Sequence, residues 1–134
     1  MNVHVVAPSG GQGNQVLDRL AQRIAAGNGW ALSAVPDQRA EVNLFFPYLL
    51  HESCGTQTAA WFSHYDEAMP GKTQRWEHVA SCVDLRLTCA PRYAEDLSRY
   101  GPAILVPPAV DLDVFHPGPS PEHSRPRVGV SGMV

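Results

Sequence analysis

Asn2-Val3-His4-Val5-Val6-Ala7-Pro8-Ser9-Gly10-Gly11-Gln12-Gly13-Asn14 passes from a β-branched segment through a glycine-rich one to a residue that favours helix N-caps. Its apolar residues do not alternate cleanly with polar ones, the pattern of a strand covered on both faces as in a parallel sheet. From residue 14 to residue 26 the apolar positions Val16, Leu17, Leu20, Ala21, Ile24 and Ala25 recur at helical spacing, with Asn14 as N-cap and Gly27 and Gly29 as the stop. Strand, glycine turn and helix in that order open an α/β fold.

The rest of the chain keeps the rhythm. Residues 30–35 and 42–46 are candidate strands ended by Pro36 and Pro47, and residues 58–63 form an apolar run that delivers Ser63-His64-Tyr65-Asp66-Glu67 at its carboxyl end. Residues 72–83 place Trp76, Val79, Ala80 and Val83 on one helical face. Residues 85–88 are a short strand, and Pro91 sits where a first helical residue is favoured, ahead of a stripe of Tyr93, Ala94 and Leu97. Residues 103–106 are the next strand, and residues 117–126 have a linker's composition. The expectation is an α/β fold, a Rossmann-like parallel sheet flanked by helices. Ligands of such sheets bind beyond the carboxyl ends of the strands, near the point where strand order reverses. That rule selects residues 9–14 and 63–67.

Composition narrows the function classes. A net charge of −3 offers no basic surface for nucleic acid, and the 134 residues suit one domain better than a complete two-domain enzyme. No run of about 18 uncharged apolar residues occurs and the N-terminus lacks a basic, apolar leader, so neither a membrane span nor secretion is expected. Cys54, Cys82 and Cys89 are odd in number and irregular in spacing, which argues against a disulfide framework and fits a reducing, cytoplasmic setting.

Within the first loop, Gly10, Gly11, Gly13 and Asn14 can bring backbone N–H groups and a helix N-terminus close to an anionic ligand, or can simply make a tight turn. Neither a dinucleotide fingerprint nor a P-loop is present. His64 is the foremost candidate side chain, since an imidazole at a strand end can bond a substrate hydroxyl or exchange a proton near neutrality; an ordinary surface histidine is the plainer alternative. Tyr65 and Asp66 follow it directly. Arg75, on the next helix, would add positive charge to the same cleft or lie on an exposed helix face. His78 and Cys82 share a helix face but lack the further ligands of a zinc site, so no metal is expected and Cys82 reads as a buried free thiol. Trp30, Trp61 and Trp76 read as core residues, and Tyr48, Tyr65 and Tyr100 as partly exposed ones.

Val106-Pro107-Pro108-Ala109-Val110-Asp111-Leu112-Asp113-Val114-Phe115-His116-Pro117, followed by Val128-Gly129-Val130-Ser131-Gly132-Met133-Val134, resembles the interdomain crossover of GT-B glycosyltransferases of the family-4 kind. The first glycine loop, the histidine ending a middle strand, Leu87-Thr88-Cys89-Ala90-Pro91, and residues 41–48 and 63–66 are similar in order to the N-terminal domain of that family. The resemblance implies an acceptor-side domain at residues 1–108, a crossover at 109–127 and the first strand of a donor domain at 128–134. It implies retaining transfer from a nucleotide-sugar donor to a sugar-bearing or other acceptor, with a C-terminal donor domain in cis or trans and no separate cofactor. It places Gly10, Gly11, Gly13 and Asn14 along the cleft, His64 beside the reacting sugar, Tyr65, Asp66 and Arg75 among the substrate contacts, and Gly132 at the donor phosphates. Ala109 stands where the family's crossover has glycine, and Met133 where its loop often has arginine. The chain alone is expected to be inactive, because the groups that grip the donor belong to the other half. The competing expectations are a non-catalytic Rossmann-like binding or assembly module, and a small flavodoxin-like domain that would carry bound flavin.

Overall fold

The computed structural model describes residues 1–11 and 16–107. All of the first strand, β1 (Val3–Val6), is buried, as an apolar run sandwiched from both sides must be. It lies inside a six-stranded sheet with β2 (Ala31–Ser33), β3 (Val42–Phe45), β4 (Gln57–Trp61), β5 (Leu85–Thr88) and β6 (Ala103–Leu105), in the order β2-β1-β3-β4-β5-β6. Every neighbouring pair is parallel. The expected α/β, Rossmann-like architecture is therefore present. The order reverses between β1 and β3: the chain first adds a strand on one side of β1, then returns to build outward on the other.

Three helices flank the sheet: α1 (Val16–Asn28), α2 (Pro70–Cys82) and α3 (Pro91–Leu97). Both α2 and α3 begin on a proline, whose missing N–H is one a first helical turn could not use. Alternation along the strands then sorts the core. Val3, Val5, Ala7, Leu44, Phe46 and Ala59 meet Ala21 and Ala25 of α1, while Val6, Phe45, Ala60 and Phe62 meet Trp76, Val79 and Ala80 of α2 and Leu97 of α3. Phe45, Phe46, Phe62 and Leu97 are fully buried, each worth roughly 1.5–3 kcal/mol of withdrawn apolar surface. Among the described residues no helix is long and apolar enough to cross a membrane.

The connection from β2 to β3 carries no helix, and a row of polar side chains takes over the covering role. His4, Asn43 and Thr58 lie side by side in register on β1, β3 and β4, all buried. His4 Nε2 is 2.8 Å from Ser33 Oγ. Asn43 accepts from the Asp37 N–H at 2.9 Å through Oδ1, and its Nδ2 donates to the Asp37 carbonyl at 3.0 Å and to Thr56 Oγ1 at 2.8 Å. The amide thus pairs with Asp37 as a neighbouring strand would and holds the bare crossover on the sheet. Arg86, also buried, donates from Nε to the Ala80 carbonyl in the last turn of α2 at 2.8 Å, where helix carbonyls lack partners and favour a cation. Gly101 makes room for that guanidinium: a Cβ there would stand 2.5 Å from Arg86 Nη1.

Several sequence expectations are corrected. Gly27 lies inside α1, and Gly29, at φ +66°, follows its end. Val16 and Leu20 are 72% and 43% exposed, because the face of α1 that meets the sheet runs through Ala21 and Ala25 and takes Asp18 with it. Tyr48 is buried, since the chain after Pro47 folds back and stacks its ring on Phe62 at 5.1 Å and 6°. Trp76 is core as expected, whereas Trp30 and Trp61 are half-buried. At the open edge, Ile104, Leu105 and Val106 are exposed. Asn43→Ala should cost roughly 1–3 kcal/mol by leaving the Asp37 N–H unpaired, while the Asp37 carbonyl keeps the Ala40 N–H at 3.1 Å, read from urea unfolding midpoints at constant slope.

Candidate functional site

Because all six strands run one way, their carboxyl ends and the loops that follow share one end of the sheet. After β1 the chain makes a tight 3-10 turn at Pro8–Gly11, in which Ser9, Gly10 and Gly11 take φ values of +52°, +59° and +77°. Ser9 is thus a non-glycine residue in the left-handed region, a conformation costing about 1 kcal/mol or more. The glycines answer a packing demand from β2. A Cβ on Gly10 would sit 3.2 Å from the Ala34 nitrogen, and one on Gly11 would sit 2.2 Å from Leu32 Cδ2. Both therefore let the turn close onto the end of β2, beside the reversal of strand order. Gly13, Asn14 and Gly132, like the crossover at 109–127 and the segment at 128–134, lie outside the described residues.

Two strands along, β4 releases the second loop. His64 is exposed, its Nδ1 3.2 Å from Ser63 Oγ, and among the described residues no further hydrogen bond engages the ring. Tyr65 and Asp66 turn instead toward α2. The Tyr65 hydroxyl donates to Glu77 at 3.1 Å, and partial burial followed by that carboxylate raises the phenol above its ordinary range. Asp66 accepts the Thr73 hydroxyl on its carbonyl at 2.9 Å and holds Lys72 Nζ at 3.8 Å, which ties the loop to the first turns of α2.

A cavity of about 210 Å³ opens beside this loop, between α2 and α3. Tyr65, Trp76, Tyr93 and Tyr100 give it aromatic walls, and Glu67, Glu77, Asp96, Arg92 and Arg99 give it charge of both signs. Tyr65 and Tyr100 each meet Trp76 edge to face, with centroids at 5.1 and 6.3 Å. Asp96 and Arg99 pair at 2.9 Å.

Arg75 belongs elsewhere. It donates to the His51 carbonyl and lines a second cavity of about 370 Å³ with His51, Cys54, Thr58, His78, Cys82 and Asp84, so it does not converge with Tyr65. The His78 and Cys82 side chains approach to 3.8 Å but both are exposed, which corrects the expectation of a buried thiol: the buried stripe of α2 is Trp76, Val79, Ala80, and they lie off it. Among the described residues no group of three or more His, Cys, Asp or Glu side chains is arranged to hold a metal ion.

Of the residues singled out from sequence, the turn at Gly10 and Gly11 and the exposed His64 share one end of the sheet, while Tyr65 opens the α2–α3 cavity. Sequence reasoning missed the other walls of that cavity. A usable signal was the spacing of Tyr93, Asp96 and Tyr100, which places all three on one side of α3 and its continuation. Comparisons with protein-family models, with curated proteins and with solved structures give no match to this chain.

Gly11→Ala should lose roughly 2–4 kcal/mol in thermal or urea unfolding, from the left-handed backbone and the displaced Leu32 together. His51 provides a pH test. Burial first, then the charges of Arg75 and His78, hold its imidazole below the ordinary histidine range, against the opposing pull of Glu52. The folded protein then binds fewer protons here than the unfolded chain, so this stability is complete above about pH 6.5 and is lost as pH falls through it. Melting temperature against pH should show that decline, and His51→Gln should flatten it.

Proposed function

We propose that this chain is the acceptor-side domain of a retaining GT-B glycosyltransferase of the cytoplasm, moving a sugar from a nucleotide-sugar to an acceptor. The observation that carries the reading is a coincidence at one end of the sheet. The left-handed glycine turn after β1, the exposed His64 after β4 and the exit of the chain after β6 all lie at strand carboxyl ends. Val106, bonded to the Thr88 carbonyl at 2.8 Å, and Pro107 begin the segment that resembles the family's crossover, so the chain leaves the sheet on the ligand side.

In this reading the sheet end forms one wall of a cleft and the donor domain the other. His64 keeps a free ring nitrogen for an acceptor hydroxyl, which it can orient and from which it can accept a hydrogen bond as the hydroxyl attacks. Stabilising the departing nucleoside diphosphate falls to the donor side. Cys54, Cys82 and Cys89 are all free thiols, in keeping with a reducing compartment.

A non-catalytic binding module is the second reading, favoured by the exposed apolar side chains of β6 at the sheet edge, a surface another chain can pair with. Nucleotide-sugar consumption by this chain, measured with and without a donor domain supplied in trans, separates the two. Turnover is expected only with both halves, and His64→Ala should lower it roughly 10²-fold with the melting temperature unchanged, as suits an exposed side chain. Full turnover by the isolated chain, or none under any pairing, would overturn the proposal.

A further inference from the structure

The recess between α2 and α3 has the chemistry of a site for a small neutral polyol. At about 210 Å³ it lies below the roughly 300 Å³ at which pockets for drug-sized ligands begin, so it holds one ring-sized unit at a time. Trp76, Tyr65 and Tyr100 supply apolar ring surface for C–H groups, and Glu77, Asp96 and Arg92 supply polar groups around it. Trp76 is only 3% exposed, and its indole N–H has no hydrogen-bond partner among the described residues. A buried donor left unpaired is destabilising, so a ligand that brings an acceptor oxygen recovers energy the free protein forgoes.

That orphan donor discriminates among ligand classes. A quaternary ammonium suits aromatic walls and carboxylates but carries no acceptor for the indole. Phosphate or a carboxylate carries acceptors but meets three carboxylates, Glu67, Glu77 and Asp96, against two guanidinium groups, Arg92 and Arg99, of which Arg99 is already paired with Asp96. A hydroxyl donates to a carboxylate and accepts from an N–H at once, and a ring of them presents a C–H face to the aromatics. We propose that the α2–α3 cavity binds one pyranose unit of a saccharide. The site stands on its own chemistry and does not require that the chain transfer sugar. Tyr65 joins it to the His64 loop, so a longer saccharide seated here extends toward the carboxyl ends of the strands.

The test is a nuclear magnetic resonance titration of the full chain, following the indole N–H signals of Trp30, Trp61 and Trp76. The probes are the methyl pyranosides of glucose, galactose and mannose, with tetramethylammonium and inorganic phosphate as the rival classes. At least one pyranoside should shift the Trp76 signal saturably while both rivals leave it in place. Tyr100→Ala, which removes an exposed wall, should weaken that binding roughly tenfold. Glu67→Gln, at an exposed rim position, is read in parallel and should weaken it as well. No saturable shift with any pyranoside, a saturable shift with either rival, or undiminished affinity in both variants overturns the proposal. Sugar transfer after addition of a donor domain, with no pyranoside binding at Trp76, overturns this inference alone and leaves the transferase reading standing.

Discussion

The pairing of the Asn43 side chain with the backbone of Asp37 decides where the third strand sits. A crossover between parallel strands normally brings a helix whose apolar face pays for covering the sheet. Here the span between β2 and β3 carries no helix, and its backbone bonds locally and to the sheet, the Ala40 N–H to the Asp37 carbonyl and the Glu41 N–H to the Asn2 carbonyl. The Asn43 amide takes the Asp37 N–H and gives its carbonyl a second donor, and His4 and Ser33 anchor the preceding turn. With β3 seated against β1, the strand order reverses at that junction, and the crevice of the fold falls beside the glycine turn.

The same economy explains why so many buried polar groups are structural. Thr58 is fixed by Asp84, which accepts from its N–H at 2.8 Å and its hydroxyl at 3.2 Å, and Arg86 is spent on the Ala80 carbonyl of α2 and the Asp84 carbonyl beyond it. Each is fully engaged with protein partners, so burial of a charge or an amide is here a sign of covering duty. Among the described residues His4 Nδ1, Asp18 Oδ1 and the Trp76 indole nitrogen are buried without a partner, and of these three residues Trp76 is the one that lines the α2–α3 cavity.

Much of the fold was legible from local pattern because the local signals agreed with one another. Residues 85–88 alternate and are followed by Cys89-Ala90-Pro91, and strand β5 and helix α3 fall where those residues put them. Helix α1 was harder, because Val16 and Leu20 fit the apolar spacing as well as Ala21 and Ala25 do, and only the sheet decides which face turns inward. Tyr48 escaped for a similar reason: nothing in its neighbours announces a stack on Phe62, which follows directly on the end of β4. The position of His64 just past β4 could be read from pattern, because the apolar run before it is a local signal. The cavity walls could not, since they join α2, α3 and the loop after β4, and which helix sides meet is a tertiary choice.

Helix α1 presses two small side chains, Ala21 and Ala25, onto the sheet, with Leu17 and Ile24 only partly covered beside them. Alanines allow close approach but each hides little apolar surface, while α2 brings Trp76 and Val79 to the opposite side. The domain is therefore held unevenly in energy as well as in shape. Local opening that frees α1 costs less than opening that frees α2, so the turn beside the strand reversal borders the part of the molecule most readily loosened. Motion in this protein would begin beside the reversal of strand order, and the aromatic core under α2 would be the last to yield.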